Sequence, residues 1–232
     1  MLRQIRLLVF DLDYLIYDCA QLKVRALRES LISLADAIPH DVRLPDAVDT
    51  EEGFRDYGFR WTKFLQIGLD DEHLEELQSP YRIHEERLVT AGAGRICPGL
   101  PELSSFWRRS GASAALGAEA RRDYLLAVSD RHDLDGFFEM AFCTEEFCIG
   151  RSEEMIKEIM RRAEVNPSET LALGTRPDFF RAAHNLDVLT IGCGWGLQRH
   201  EGLGEADLQA LTLPQVFPAI EKADALAAQY LE

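Results

Sequence analysis

The chain has 232 residues, 47% hydrophobic and 28% charged, which suits one large globular domain or a domain carrying a smaller insert. Its formal net charge of -15 argues against a nucleic-acid-binding surface, because phosphate binding needs clustered Lys and Arg, and here 25 bases face 40 acids. No stretch approaches the roughly 18 consecutive apolar residues of a membrane helix, and no signal-peptide core precedes the first strand. We therefore expect a cytoplasmic protein with no membrane or nucleic-acid partner.

The first predicted strand, Ile5 to Phe10, is a continuous apolar run that ends in two acidic residues, Asp11 and Asp13. Side chains two residues apart on extended backbone point to the same side, so these carboxylates share one small volume. Like charges that close repel unless a cation or a shared proton relieves them. The pattern therefore favours a functional site, the alternatives being a solvated strand end and, for Asp13, a turn former.

A helical block is predicted for residues 19 to about 92. Its first helix carries apolar residues at helical spacing as far as Pro39: Leu27, Leu31, Leu34 and Ile38. Two further helices are predicted over Phe54 to Leu69 and Glu72 to Val89, and we expect Pro80 to kink or break the second. Aromatic residues of the middle helix either pack inside this block or line a substrate pocket: Phe54, Phe59, Trp61 and Phe64.

Beyond the glycines at 92, 94 and 99, strands and helices alternate, which predicts a parallel sheet with right-handed crossovers. The predicted strands are Ala112 to Leu116, Met140 to Cys143, Thr170 to Leu173 and Val188 to Ile191. The predicted helices are Leu100 to Arg109, Glu119 to Ser129, Ser152 to Ala163 and Phe179 to Asn185. Ligands of such sheets bind at the carboxyl ends of strands, where Asp11 and Asp13 lie.

The cysteines give no sign of a disulfide framework or a zinc site, because they are odd in number and lack a C-x-x-C pair. The five are Cys19, Cys97, Cys143, Cys148 and Cys193. Cys193 is predicted in a glycine-rich turn after the last strand, where reactivity would require a depressed pKa. His132 and His184 have no partners at metal-ligand spacing and are interpreted as structural.

The order of these features resembles the haloacid dehalogenase-like superfamily: an apolar strand ending in Asp-x-Asp, a helical insertion directly after it, and a later strand ending in Gly and followed by Asp. The run Arg95 to Leu103 (RICPGLPEL), which leads back to the core, resembles the phosphoglycolate phosphatase-like branch. The resemblance implies an α/β, Rossmann-like parallel sheet core over residues 1–16 and 95–232. It also implies an inserted all-helical cap over residues 17–94.

The resemblance implies a hydrolase that cleaves a phosphomonoester of a small metabolite through an aspartyl-phosphate, with Mg2+ as cofactor. Asp11 would be the nucleophile, and Asp13 would protonate the leaving group and then activate water. Asp13 separates the chain from the superfamily's dehalogenases, which lack the second acid. The cationic catalytic position falls on Arg151, or on Gly150 if the motif is registered one residue earlier.

Several positions depart from the family pattern. Tyr14 and Leu15 follow the second Asp where Gly and Thr are usual, and Gly117 stands where a Ser or Thr binds the phosphoryl group. The phosphate-binding groups would then be backbone N–H groups at Gly117 and Ala118.

The metal ligands implied by the resemblance are Asp11, Asp13, Thr175 and Asp178. Thr175 is neutral where the family has an acid, so Mg2+ should bind weakly or not at all, since hard cations prefer several anionic oxygens. Arg176 adds a positive charge that can take part of the cation's place. Asp178 either belongs to the site or only caps the following helix.

Two hypotheses follow: a phosphatase whose activity is weak or lost, and a non-catalytic relative whose cleft binds a ligand or whose cap binds a protein. A third, metal-free dehalogenation, fits Thr175 but not Asp13. Substrate identity and oligomeric state have no readable signal in the sequence.

Overall fold

The computed structural model describes residues 2–34, 71–147, 151–195 and 201–229. The chain divides into two compact units: one comprises Met1–Tyr17 and Ile96–Glu232, and the other comprises Asp18–Arg95. None of the helices in the described ranges combines the length and apolarity needed to span a bilayer.

The first unit is built on a six-stranded parallel sheet. The strands in chain order are β1 (Leu7–Asp11), β2 (Tyr17–Asp18), β3 (Arg95–Ile96), β4 (Ser113–Ala118), β5 (Met140–Cys143), β6 (Thr170–Gly174), β7 (Leu189–Cys193) and β8 (Leu208–Ala210). The sheet order is β5-β4-β1-β6-β7-β8, and β2 pairs with β3 as a separate two-stranded sheet. Each neighbouring pair of the large sheet is parallel. Every residue of β1 is buried, as expected for a central parallel strand covered on both faces.

The α-helices of the described ranges are α1 (Ala20–Ser33), α2 (Asp71–Thr90), α3 (Leu100–Ser110), α4 (Arg122–His132), α5 (Arg151–Ala163), α6 (Pro177–His184) and α7 (Leu213–Gln229). Helix α5 shows how they cover the sheet, because its apolar stripe is buried while its first turn carries Glu153 and Glu154. The acids favour the positive end of the helix dipole. The stripe comprises Met155, Ile156, Ile159 and Met160.

The predicted fold class is confirmed: an α/β parallel-sheet core with an inserted helical unit. Of the predicted kink or break at Pro80, the break is wrong, because α2 is continuous across this residue, and the kink stays a prediction. The first helix ends at Ser33, before the predicted Leu34 and Ile38. The helix predicted over residues 54–69 and Ile38 lie outside the described residues, so the domain assignment 17–94 as a cap stays a prediction.

The last two elements of the sheet unit, β8 and α7, have no counterpart in the sequence prediction. Strand β8 has only three residues, too few to show an alternating pattern. Helix α7 contains Pro218, a residue that normally argues against a helix interior. Tertiary packing overrides both signals, since Val216, Ile220 and Ala223 of α7 are fully buried.

A carboxylate of α7 fixes the chain that enters β1. Asp224, itself buried, accepts hydrogen bonds from the backbone N–H groups of Arg3 and Gln4 at 2.8 Å and of Ile5 at 2.7 Å. These three amides precede the strand and have no ladder partner of their own among the described hydrogen bonds. The contact anchors the amino end of the strand whose opposite end carries Asp11.

Candidate active site

Three neighbouring strands bring the candidate residues to one edge of the sheet. In the register of β1 with β4, Asp11 lies opposite Gly117. In the register of β1 with β6, Phe10 lies opposite Leu173, so Thr175 follows the strand end beside Asp11. Because parallel strands place their carboxyl ends together, the segments after β1, β4 and β6 meet here.

The central contact of the site is a buried ion pair between Asp11 and Arg176. Arg176 Nε donates to Asp11 Oδ2 at 2.8 Å, and Arg176 Nη2 donates to Asp11 Oδ1 at 3.5 Å. Asp11 is only 1% exposed and Arg176 5%. Both carboxylate oxygens therefore face one guanidinium, a two-point arrangement that arginine favours because its donors form a planar fork.

The electrostatics of this pair are unequal. Burial raises the pKa of Asp11 from 3.8 to about 6; Arg176 offsets part of the rise, and the charges of Asp13 and Asp178 add to it. Burial alone would lower the pKa of Arg176, but the nearby carboxylates of Asp11 and Asp178 outweigh burial and raise this pKa above its usual value. The guanidinium thus stays charged, whereas burial disfavours the ionised form of Asp11.

Two more acids surround the same guanidinium. Arg176 Nη1 lies 3.2 Å from Asp178 Oδ2 and also forms an ion pair with Glu119. Glu119 and Asp178 are partly exposed, so the cluster opens from the buried Asp11 toward solvent. One cation is shared by three carboxylates, which leaves the cluster net negative.

The donor set does not fit Mg2+. Of the four implied ligands, Asp11 and Asp178 bond Arg176, Asp13 accepts from Tyr124, and Thr175 offers a neutral hydroxyl. Within the described ranges, no group of three or more His, Cys, Asp or Glu side chains is arranged to hold a metal ion. A positive guanidinium among the candidate ligands opposes a divalent cation electrostatically.

Asp13 belongs to a tight turn that follows β1. Its Oδ1 accepts a hydrogen bond from the buried hydroxyl of Tyr124 at 2.9 Å. The turn is closed by Tyr14 N–H, which donates to the carbonyl of Tyr17 at 2.8 Å. The position after Asp13 requires a left-handed backbone, with φ 64° at Tyr14, which is the conformation glycine adopts most easily. Tyr14 therefore adopts a left-handed backbone that a glycine would adopt at less cost.

Thr175 is fully buried, and its Oγ1 has no hydrogen-bond partner among the described residues. Buried hydroxyls are normally hydrogen-bonded, so an orphan one at the end of β6 indicates a group that a ligand or water satisfies. It follows Gly174 directly, where a Cβ would come within 2.6 Å of the Phe179 ring. The close approach of α6 thus fixes the backbone that presents Thr175.

Gly117 is a packing requirement of helix α5. A Cβ at this position would meet the Cε of Met155 at 2.8 Å and lie 3.7 Å from Ile159. A side chain at 117 would point toward α5 and require the end of Met155 to move, and the interpretation of Gly117 as the site of a lost phosphate-binding hydroxyl stays a prediction. Binding of phosphate by the backbone of Gly117 and Ala118 stays a prediction.

Two of the other candidate residues lie at helix starts. Arg151 is the first residue of α5, and its side chain lies outside what the structure describes. The prediction of Asp178 as a helix N-cap is wrong, because α6 begins at Pro177 and its N-cap is Arg176. Asp178 lies in the first turn, where its Oδ1 accepts from the N–H of Phe179 at 3.0 Å.

The remaining candidates have structural roles. Cys193 is the last residue of β7 rather than part of a turn, and burial raises the pKa of its thiol well above the usual value, so a reactive thiolate is disfavoured. The imidazole of His184 lies 3.0 Å from Thr190 Oγ1 and 3.1 Å from Asp207 Oδ2. The ring of His132 packs against Tyr17.

Two residues of the site escaped sequence analysis: Glu119, which was predicted inside a helix, and Tyr124. Helix α4 starts only at Arg122, so Glu119 lies directly after β4 on the same sheet edge as Asp11. Because ligands bind at the carboxyl ends of parallel strands, the residue that follows β4 is a candidate in the same way as Asp11, and that residue is Glu119.

The turn after Asp13 has one more partner, because Trp195 Nε1 donates to the Leu15 carbonyl at 3.2 Å.

The fold is that of the haloacid dehalogenase-like hydrolases. A family hydrolase from Streptococcus pneumoniae is 15% identical, with TM-score 0.77 over 94% of this chain and 99% of its own. A predicted phosphoglycolate phosphatase from Haemophilus somnus is 12% identical, with TM-score 0.75 over 95% and 100%. The Rhodobacter sphaeroides protein CbbY, in complex with phosphate, is 19% identical, with TM-score 0.70 over 89% and 93%. No protein-family model and no curated protein sequence matches the chain.

Proposed function

We propose that this chain is a phosphatase of small phosphorylated metabolites that works through an aspartyl-phosphate on Asp11. The observation that carries the proposal is the buried guanidinium of Arg176 on a carboxylate at the end of the central strand. A phosphoryl group that reached Asp11 would meet a fixed positive charge there. The fold likeness to a predicted phosphoglycolate phosphatase and to CbbY in complex with phosphate supports this substrate class.

The reaction has two displacements. In the first, an oxygen of Asp11 bonds to phosphorus, the ester P–O bond breaks, and the Asp13 carboxyl gives its proton to the leaving oxygen. In the second, water attacks the same phosphorus, its proton passes to Asp13, and the bond to Asp11 breaks to release phosphate. Tyr124 holds the Asp13 carboxylate through its hydroxyl. Arg176 neutralises charge on the phosphoryl oxygens in both steps.

A second candidate, a non-catalytic module that binds a phosphorylated ligand, is favoured by one observation. Both oxygens of Asp11 are directed at Arg176, and the residue is almost completely buried. Arg176 occupies one lone pair of each oxygen, so attack requires that phosphorus reach one of the remaining lone pairs of this buried carboxylate. If the fold prevents that approach, the site binds anions without turning them over.

Hydrolysis of p-nitrophenyl phosphate by the wild-type chain and by Asp11→Asn separates the two candidates. Catalysis predicts that Asp11→Asn lowers turnover at least roughly a thousandfold, because it removes the nucleophile. The matched control is Asp130→Asn, the same change on an exposed position of α4, which should leave turnover unchanged. Acid-quenched wild-type protein should also carry the added mass of one phosphoryl group, and Asp11→Asn should not.

Equal turnover in wild type and Asp11→Asn would contradict the phosphatase proposal and identify a contaminating activity. Binding of inorganic phosphate without any turnover would favour the non-catalytic candidate.

A further inference from the structure

We propose that Arg176 permanently replaces the divalent cation of this site, so that the site holds its phosphoryl ligand without a metal. The inference extends the proposed function by naming the counter-charge, but it concerns binding and holds whether or not the chain turns over a substrate.

The contacts of Arg176 are those expected of a bound cation. Its guanidinium reaches Asp11 at 2.8 Å and Asp178 at 3.2 Å, two of the residues that the family resemblance assigns to the metal. Glu119, from the neighbouring strand end, is a third carboxylate on the same group. Arginine keeps its charge at every accessible pH, so this cation cannot be lost by titration or dilution.

Thr175, like Arg176, makes the site less suited to a metal ion and better suited to an anion. A carboxylate there would add a fourth acid and favour a metal ion, whereas the hydroxyl can donate a hydrogen bond to an anionic oxygen. Its Oγ1 is buried without a partner in the described part of the chain, so only a group enclosed beside it in the site can satisfy the hydroxyl. Thr175 and Arg176 together thus supply donors for an oxyanion rather than ligands for a cation.

The ligand class follows from these groups. A phosphate monoester presents several anionic oxygens in a tetrahedral array, which can take N–H donors from the guanidinium and the hydroxyl of Thr175 together. Mg2+ would have to enter beside a fixed positive charge and compete for carboxylates that are already hydrogen-bonded. A bound phosphoryl group would therefore take over guanidinium N–H donors that now face the partly exposed Asp178 and Glu119.

Isothermal titration with Mg2+ alone tests the counter-charge directly on protein freed of metal by a chelator. Four proteins are compared: wild type, Thr175→Asp, the double variant Thr175→Asp with Arg176→Ala, and the control Arg181→Ala. Arg181 lies on α6, the helix that Arg176 precedes, but it is exposed and pairs with Glu205, so Arg181→Ala removes the same single charge as Arg176→Ala without touching the site.

We expect no saturable Mg2+ binding at millimolar metal in wild type, Thr175→Asp or Arg181→Ala. The double variant should bind one Mg2+ saturably, with a dissociation constant at least about tenfold below the highest metal concentration at which wild type shows no binding, because it exchanges the internal cation for an additional anionic ligand. Stoichiometric Mg2+ binding by wild type would overturn the inference. A double variant that is folded by circular dichroism and no better than wild type would also overturn it.

Titration with inorganic phosphate tests the ligand on wild type alone and does not depend on the folding of a variant. Its affinity should be the same within about twofold with and without Mg2+, because the counter-charge is already present. Binding that requires Mg2+, or no phosphate binding in either condition, would overturn the assignment.

The outcome stays distinguishable from that of the proposed function. Turnover of p-nitrophenyl phosphate that disappears with a chelator would leave a phosphatase but overturn the internal cation. Absence of turnover together with metal-independent phosphate binding would overturn the phosphatase and support the internal cation.

Discussion

Strand β1 has a buried aspartate at each end, and the two are satisfied in opposite ways. At the amino end, Asp224 accepts three backbone N–H groups at 2.7–2.8 Å. At the carboxyl end, Asp11 accepts from a guanidinium that two further acids share. The first carboxylate meets neutral donors that it alone uses, whereas the second competes for one cation within a net-negative cluster.

The difference separates a structural carboxylate from a reactive one. Backbone amides of residues 3–5 are fixed by the fold, so Asp224 is held in place and its removal leaves three donors unpaired, of which that of Ile5 is buried. Asp11 instead carries a pKa raised to about 6 by burial, so its ionised form is disfavoured by the folded chain. Strain of this kind at a strand end is typical of functional sites.

The largest expected effect comes from removing the contact of Asp224 at the amino end of β1. Asp224→Ala should lower the free energy of unfolding by about 4 kcal/mol, since hydrogen bonds to a charged group are worth roughly 1.5 kcal/mol each and three are lost. Urea unfolding followed by circular dichroism measures the change. Asp130→Ala on exposed α4 is the control and should stay within about 0.5 kcal/mol of wild type. A loss as small as that of the control would show that Asp224 is not the anchor of β1.

The next largest expected effect is the pH dependence of stability that the buried Asp11 causes. Because burial raises the folded pKa of Asp11 from 3.8 to about 6, the folded chain binds this proton more tightly than the unfolded chain. Its ionisation therefore costs stability as pH rises from about 4 to about 6. Asp11→Asn cannot ionise, so its free energy of unfolding relative to wild type should increase across that window by roughly 3 kcal/mol.

Urea unfolding of wild type and Asp11→Asn at several pH values measures this difference, with Asp130→Asn as the matched change outside the site. A difference that stays constant with pH, or decreases, would contradict the raised pKa of Asp11.

The smallest effect concerns the second carboxylate. Tyr124→Phe removes the hydroxyl that donates to Asp13 and keeps the ring against Tyr17, so it should cost about 1 kcal/mol of stability. Repeating the change in an Asp13→Ala background, which has no side-chain acceptor, isolates the pair. Additive losses in the double variant would show that the hydrogen bond contributes nothing measurable.

Much of the core could be predicted from the sequence because its strands are strongly patterned. The apolar run before Asp11 becomes the fully buried β1, and Met140–Cys143 is a strand with the predicted bounds. Helix starts were less accurate: α4 begins at Arg122 rather than Glu119, because the loop after β4 contains good helix formers and lacks a glycine or proline to mark it.

The contacts within the site could be predicted only in part. The two acids after β1 and the positive charge of Arg176 are readable in the sequence. The turn that holds Asp13 and the three partners of Arg176 are not, because they depend on tertiary structure. The direction of Gly117 toward Met155 likewise depends on the packing of α5. Such features arise from tertiary structure, which a local pattern of residues does not encode.

The indole of Trp195 is bound through its N–H to the turn that follows the two aspartates. This bond gives the turn a natural optical reporter, since the emission of an indole responds to the loss of its hydrogen-bond partner. Ligand-induced movement at the strand end can thus be followed by fluorescence without attaching a dye. Replacing the buried Trp107 by Phe would remove one background signal from that measurement.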